Sequence, residues 1–372
     1  MRVQDRKTRI LLASVLKPVD EPRMCERMGQ SLAKYGFEVF IAGFPASSSE
    51  TVEGVTFLPH GKFKRISVSR IKARFTILRK AFSVNPDILV VTTHELIGIA
   101  ILFKLFSGKK IIYDIQEDYF QNITHTNAWP KLFRPFIAFP VRWKEWITSS
   151  FFSKFLLAEK CYEDDLGFAR GKSVVIENKC VVPPGFYRMP SKDTIQLLFT
   201  GTIAESTGIF EAINLTKKLH EVEPRIKLTI IGHCAQPNML QKIEMDIAQS
   251  PFIRLVGRKD FVPHNKIIEA ISSANFGIIS YPPSSHTKDK IPSKLYEYLA
   301  CQLPILLQEN KRWVELCAHS NAAIAIDFQH LDATAILSTM RESQFYLQRP
   351  ENVSWESEEK TLIAAIHSYK QG

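Results

Sequence analysis

Short apolar runs alternate along this chain with stretches whose apolar residues recur every third or fourth position. "TRILLASVL" (8–16) reads as a strand, "RMCERMGQSLAKYG" (23–36) as a helix and "FEVFIAGF" (37–44) as the next strand, with Gly36 where a helix C-cap glycine falls. "DILVVTT" (87–93), "ELIGIAILFKLFSG" (95–108) and "KKIIYDI" (109–115) repeat that order. After Asn178–Pro184, a polar break with a proline pair, the alternation restarts through "IQLLFTG", "GIFEAINLTKKLH", "IKLTIIG", "MLQKIEMDIAQ", "FIRLVG", "HNKIIEAISSA", "FGIISYP" and "ILLQ". Strand and helix in strict alternation predict two parallel sheets covered by helices, which bind ligands at the carboxyl ends of the strands. The first turn has no G-x-G-x-x-G fingerprint, which argues against a dinucleotide-dependent redox enzyme. A last amphipathic stretch, "WESEEKTLIAAIHSYK", belongs to no strand pair and is expected to pack across both domains.

The 372 residues suit two domains better than one core. At 45% hydrophobic and 23% charged the composition is that of a soluble globular protein. Six scattered cysteines form no C-x-x-C pair, which favours a reducing compartment. The charged start (Arg2, Asp5, Arg6, Lys7, Arg9) precedes an apolar run without a small-residue cleavage site, so cytoplasmic residence is expected. The longest apolar stretch, 96–106, is interrupted by Lys104 and is shorter than the roughly 20 residues of a membrane span. Net charge is +10, and it is uneven: residues 1–185 hold 28 Lys and Arg against 18 Asp and Glu, and the remainder 20 against 20. The two halves therefore meet different partners.

Candidate chemistry concentrates in "TKDKIPSKLYEYLACQLPI" (287–305). Pro292 suits the first turn of a helix, where its missing N–H is no loss. Ser293, Lys294 and Leu295 would present backbone N–H groups, and Lys294 a charge, to a diphosphate at the positive end of that helix. Glu297, one turn on, could reach a ribose hydroxyl. Asp289 lies eight residues before it in a loop. Carboxylates beside an anion site make sense when each accepts hydrogen bonds from hydroxyl groups. An ordinary N-terminal turn with a surface salt bridge fits the stretch equally well.

The ordered segments "LLFTGTIAESTGIFEAI", "KLTIIG", "IRLVGR", "IIEAISSANFGIISY" and "DKIPSKLYEYLACQLPIL" together resemble the donor domain of the retaining GT-B glycosyltransferases of family 4. "EPRMCERMGQSLAKYGFEV", "PDILVVTTHE" and "IIYDIQEDYFQNI" resemble the first half of that family less tightly. The resemblance implies an α/β GT-B architecture, two Rossmann-like doubly wound domains facing a central cleft. The divisions are expected at 1–183 for acceptor binding, 184–345 for donor binding, and 346–372 for the closing helix. It implies a metal-independent hexosyltransferase-type enzyme without a cofactor. Asp289 stands in the first acidic position of the E-x7-E signature, contacting the transferred sugar, and Glu297 in the second, contacting the ribose. Gly201, Thr202, Arg258, Ser293, Lys294 and Leu295 complete the donor side, with fixed N–H groups and cations stabilising the departing diphosphate.

The sequence departs from that pattern in two places. Thr202 and Thr207 stand where many relatives carry an arginine and a lysine, which leaves the diphosphate charge to Lys294 and Arg258. Gln116 stands where the motif resembled by "YDIQEDY" carries histidine; an amide hydrogen-bonds a hydroxyl but takes up no proton at neutral pH. Glu117 and Asp118 are the next polar candidates, unless 114–118 is only a solvated strand-end loop. Arg23 and His94 are acceptor-side candidates; the alternatives are an Arg23 pair with Asp20 or Glu26 and a structural role for His94.

Two segments of the first half combine cations with apolar residues. "KFKRISVSRIKARFTILRK" (62–80) has eight Lys and Arg and no acid, and "WPKLFRPFIAFPVRWKEWITSSFFSKF" interleaves cations with Trp129, Phe133, Phe136, Phe139, Trp143 and Trp146. This composition suits an anionic membrane surface, each cation contributing about 1 kcal/mol near the headgroups. For the second segment, core packing is an equal alternative. Nucleic acid is not expected, because no binding motif accompanies the cations. The chain therefore reads as a cytoplasmic, membrane-peripheral transferase that moves a sugar from a nucleotide-sugar donor, with retention, to a lipid-linked glycan acceptor in bacterial surface-polysaccharide assembly. The alternatives are a catalytically weak sugar-nucleotide-binding partner protein and a nucleotide-sugar epimerase.

Overall fold

The computed structural model describes residues 6–46, 52–63, 67–125, 130–284 and 287–368. Of the residues singled out above, Arg2, Asp5, Lys64, Arg65 and Trp129 lie outside these. The chain divides into two compact units, Met1–Asn178 with Trp355–Gly372, and Lys179–Ser354.

The first unit is built on a seven-stranded parallel sheet, in the order β3-β2-β1-β4-β5-β6-β7. Its strands are β1 (Arg9–Pro18), β2 (Glu38–Phe44), β3 (Val55–Pro59), β4 (Ile88–Val91), β5 (Lys110–Ile115), β6 (Lys154–Leu157) and β7 (Ser173–Val175). Its helices are α1 (Gln30–Lys34), α2 (Val68–Val84), α3 (Ile97–Ser107), α4 (Tyr119–His125), α5 (Arg134–Thr148) and α6 (Tyr162–Asp165). β4 is buried throughout and unbroken by polar residues, as a central parallel strand covered on both faces should be. α2 and α3 stop where Asn85 (φ 49°) and Gly108 (φ 69°) turn left-handed. The helix expected over 23–36 forms in two parts: Arg23–Gly29 winds as a π-helix, α1 follows, and Gly36 turns at φ 85°.

The second unit has a six-stranded parallel sheet, in the order β10-β9-β8-β11-β12-β13. Its strands are β8 (Ile195–Thr202), β9 (Ile226–His233), β10 (Ile253–Val256), β11 (Phe276–Ile279), β12 (Ile305–Gln308) and β13 (Ala323–Ile326). Its helices are α7 (Ile209–Val222), α8 (Pro237–Ile247), α9 (His264–Ser273), α10 (Ser293–Ala300), α11 (Lys311–Ala318) and α12 (Ala333–Glu342). In both sheets the strand order reverses beside the first strand of the unit, the place where doubly wound sheets open a crevice for ligands.

The closing helix, α13 (Glu356–His367), is expected to pack across both domains but is seated in the first unit. Trp355 donates its indole N–H to Ser31 Oγ at 2.8 Å, and Glu359 pairs with Lys34 at 2.9 Å. The units part at Asn178/Lys179 and Ser354/Trp355 rather than after 183 and 345. There the two passages of chain run side by side in the second unit, Cys180 bridging Ser354 in parallel and donating its N–H to Val353.

Candidate functional site

Glycines close three neighbouring strands of the second unit. A Cβ on Gly232, in β9, would sit 1.7 Å from the Gly201 carbonyl oxygen, and one on Gly257, just after β10, would sit 2.3 Å from that of Gly232. Gly201 itself has φ +90°. Only residues without side chains let these strand ends approach so closely. The loop after β8 is drawn in the same way: Gly208 packs its backbone on Ser280, whose hydroxyl donates to the Gly208 carbonyl at 2.6 Å.

Over these strand ends lies the start of α10. Pro292, expected inside its first turn, sits instead just before the helix in an extended conformation. The N–H groups of Ser293 and Lys294 find no acceptor among the described residues. That of Leu295 already donates to the Pro292 carbonyl at 2.8 Å, so only two of the three expected backbone donors remain for a ligand. Lys294 is 5% exposed, and its Nζ has no hydrogen-bond partner among the described residues. The ammonium lies 4.2 Å from the Phe199 ring centre and 5.0 Å from that of Tyr281, and its Cε lies 3.8 Å from where a Gly201 side chain would begin. Ring faces stabilise a cation weakly compared with water or a carboxylate. Burial therefore pushes the Lys294 amine down to about 7, only partly opposed by the charge of Glu297. A buried amine with vacant donors beside vacant helix N–H groups is an arrangement that could receive an anion.

Glu297 is 8% exposed and meets His264 Nε2 at 3.2 Å from its Oε1. Sequence reasoning missed His264, Phe199 and Tyr281, because their part in the site depends on how α9, β8 and the segment after β11 come together. Ring stacking of His233 on Phe261, with centroids 4.2 Å apart, adds an aromatic face after β9.

Other donor-side candidates stand apart. Arg258 pairs with Glu244 at 3.1 Å on the surface, with 61% of its side chain exposed. Thr202 ends β8, and Thr207 closes the loop behind it by donating its hydroxyl to the Thr202 and Ala204 carbonyls. Asp289 is half-exposed, with Lys288 and Arg312 each 3.9 Å from its carboxylate. No hydrogen bond or ion pair among the described residues joins it to Lys294 or Glu297. A hollow of about 480 Å³, bordered by Gln196, Thr229, Arg254 and Lys266, lies alongside α9 and includes neither Lys294 nor Glu297.

In the first unit, Arg23 does not line an open surface, nor does it pair with Asp20 or Glu26. It is 2% exposed and binds Asp114, itself fully buried, through Nη2 at 2.6 Å and Nε at 3.0 and 3.1 Å. Its Nη1 donates to the Ile176 carbonyl and to Asn178 Oδ1, both at 2.8 Å. The π-wound turn places the guanidinium there, with four of its five N–H groups engaged by these partners. Gln116 joins the network, donating to Asp114 at 2.7 Å and accepting from Lys17. Lys17 also pairs with Glu21 at 2.8 Å. Burial alone would raise the Glu21 carboxyl, but the Lys17 charge and hydrogen bonds from Lys17 and the Met24 N–H hold it below its usual range.

Asp118 is buried against Arg142 at 2.6 Å and caps the next turn through the Gln121 N–H, so it is structural. Glu117 stays at the surface, accepting from Asn122 at 2.7 Å. His94 packs edge-on against Tyr119 with centroids 4.5 Å apart, and Lys144 Nζ lies 3.2 Å from its Nδ1. Burial, then the charge of Lys144, pushes His94 down to about 4. A lysine ammonium can only donate, so Nδ1 accepts and Nε2 carries the proton. At neutral pH this histidine is a hydrogen-bond donor and a poor base.

No family model and no curated protein matches the chain. Solved structures do. Sucrose-phosphate synthase from Thermosynechococcus elongatus superposes with a TM-score of 0.71 at 12% identity, over 97% of this chain and 99% of that one. The Anabaena protein HepE, in complex with UDP and glucose, gives 0.68 at 11% identity over 97% and 100%. A protein assigned as a UDP-N-acetylglucosamine 2-epimerase from Listeria monocytogenes gives 0.60 at 13% identity over 98% and 97%. At these identities the likeness establishes the architecture alone: the chain has the GT-B fold of two Rossmann-like units.

Proposed function

We propose that this protein is a metal-independent glycosyltransferase that moves a hexosyl group from a nucleotide-sugar donor, with retention, to a lipid-linked glycan acceptor. The setting would be bacterial surface-polysaccharide assembly at the inner face of the cell membrane. One observation carries the reading: the Lys294 amine, without a hydrogen-bond partner among the described residues and enclosed by Phe199, Tyr281 and Gly201 at the start of α10. A diphosphate there would receive the ammonium and the N–H groups of Ser293 and Lys294, on the positive end of the helix dipole. Glu297, held by His264, would accept from ribose hydroxyls, and the His233 and Phe261 rings offer a face to the base. Asp289, on its loop, would meet the sugar.

In the transfer step the anomeric C–O bond to the diphosphate breaks while the acceptor oxygen bonds to the same face of the anomeric carbon. The acceptor's proton passes to the departing phosphate oxygen, so no protein base is required. Protonated Lys294 stabilises the charge that develops on the leaving group. Gln116 and Glu117 would hold acceptor hydroxyls.

A second reading is favoured by Thr207 and Arg258. The first spends its hydroxyl on its own loop and the second is engaged by Glu244, which leaves Lys294 as the buried cation of the site. A weakly catalytic sugar-nucleotide-binding partner protein would have this makeup. The epimerase alternative predicts donor conversion without any acceptor.

Calorimetric titration with nucleoside diphosphates and nucleotide sugars tests the site. Glu297→Ala should weaken binding about tenfold or more, consistent with the loss of a charged hydrogen-bond partner. Unchanged affinity would remove the ribose assignment. Binding without turnover, on any acceptor tried, would move the partner-protein reading to first place.

A further inference from the structure

Within the aromatic segment of the first unit Phe152 and Phe155 are core, but the aromatics of α5 are not. α5 is tied to the unit by one face: Ala138, Val141 and Glu145 are buried, Arg142 pairs with Asp118, and Glu145 accepts from the Tyr113 hydroxyl at 3.1 Å. The other face is apolar and open. Phe136 is 78% exposed, Phe139 65%, Trp143 63% and Trp146 64%, and Leu132 and Phe133 extend the row at the helix entrance. Their spacing of three and four residues places them in one stripe. A row of outward aromatics on a helix fixed by buried ion pairs is a built surface rather than a frayed end.

Its neighbours continue the pattern. Parallel strands connect by right-handed crossovers, so α2, α3 and α5, whose connections all run in the same direction across the sheet, lie on one side of it. Arg70 of α2 and Lys144 of α5 both reach the His94–Glu95 turn that precedes α3. On that side α2 exposes Val68, Ile71 and Phe75, and α3 exposes Leu105 and Phe106. Lys62, Lys72, Arg79 and Lys131 are also exposed on these segments. Of the acids on that side, Glu95, Asp118 and Glu145 turn inward to buried pairs or hydrogen bonds, while Glu117 and the α6 acids Glu163, Asp164 and Asp165 are exposed. The surface is thus apolar at its centre, with cations along α2 and at the entrance of α5.

We infer that α5 is an interfacial helix that lies in the plane of an anionic bilayer, with Phe136, Phe139, Trp143 and Trp146 at the boundary of headgroups and acyl chains. This deepens the membrane partner proposed above, and it changes the mode of binding: aromatic insertion holds the protein, and the cations of α2 steer it. Charge complementarity selects the occupant. A second copy would set these cations against their own counterparts, whereas anionic headgroups neutralise them, and indole rings with one polar edge suit the interface.

The test is co-sedimentation of the full chain with vesicles of phosphatidylcholine containing about a third phosphatidylglycerol, an anionic fraction high enough to attract a basic segment. Wild type should bind and stay largely bound in ~0.5 M salt, where charge attraction is screened. Phe136→Ser with Trp143→Ser, two exposed positions, should lower vesicle affinity at least about tenfold at any salt. Lys72→Gln with Arg79→Gln should weaken binding only at low salt. Emission of Trp143 and Trp146 should shift to the blue on vesicles and be quenched by lipids brominated high on the chain. Trp313 and Trp355 are buried and will not respond. Thermal unfolding checks that each variant is folded, and nucleotide titration of the same variants reads the donor site separately. Full vesicle binding by the folded aromatic variant, or release of wild type by salt, would overturn the insertion. No binding by wild type would overturn the membrane partner itself. Self-association of wild type that the aromatic variant loses would give the face to a second copy instead.

Discussion

Lys294, as the proposed diphosphate ligand, is a side chain that would oppose stability and serve binding together. Burial lowers its amine from the ordinary 10.5 to about 7. Below about pH 7 it is charged in both folded and unfolded chains, and the fold bears the full penalty. Between about 7 and 10.5 only the unfolded chain keeps the proton, so stability rises with pH across that window. Lys294→Met should therefore stabilise the free protein at pH 6, by up to about 5 kcal/mol, and have little effect above pH 10. Chemical denaturation at the two pH values measures this. The same substitution should abolish diphosphate affinity. In wild type that affinity should fall by up to about tenfold per pH unit above 7, because the bound anion favours the charged amine. Arg23 behaves in the opposite way. Arg23→Met leaves Asp114 buried without its partner and should cost about 3–5 kcal/mol in urea unfolding.

Elements supply the geometry that single residues cannot. Gly201, Gly232 and Gly257 lie at the ends of β8, β9 and β10, and the last two let a backbone come closer than a methyl group allows. Gly232→Ala should destabilise more than Gly201→Ala, since its Cβ would meet a backbone carbonyl at 1.7 Å while the other meets only the Lys294 side chain at 3.8 Å. Gly201→Ala still carries the strain of φ +90°, about 1–2 kcal/mol, and narrows the space beside the amine. Denaturation of both variants, with diphosphate titration of the folded ones, separates strand-end packing from ligand space. α5 illustrates the converse: its mixture of cations and aromatics was visible in the sequence, and its inner ion pair and hydrogen bond decide which face is offered outward.

Across the whole molecule, chemistry and charge are divided between the units. The basic excess and the aromatic face belong to the first, and the proposed anion site to the second. Gln116→Ala in the first unit should lower turnover while leaving nucleoside diphosphate affinity unchanged. Asp289→Ala in the second should do the same, because that loop acid is expected to touch the sugar rather than the diphosphate. Kinetics and titration on the same preparations check both, and a loss of diphosphate affinity with either would show that its role is misassigned.

Most strands, the helices α1, α3, α7 to α10 and α13, the two-unit organisation and the position of Lys294 and Glu297 on one short helix were legible in the residues. Hydrophobic period and glycine placement act locally, so a linear reading captures them. β3, β6, β7 and β13 were not, because short strands at or near a sheet edge carry little periodic signal. Nor could the sequence tell that Arg23 is locked to Asp114, that Arg258 turns to Glu244, or that His264 holds Glu297. Those pairings join residues 91, 14 and 33 positions apart. The aromatics of α5 were equally ambiguous between core and surface, since a helical stripe of Phe and Trp fits both. Only the tertiary fold, by burying the opposite face of that helix, turned them outward.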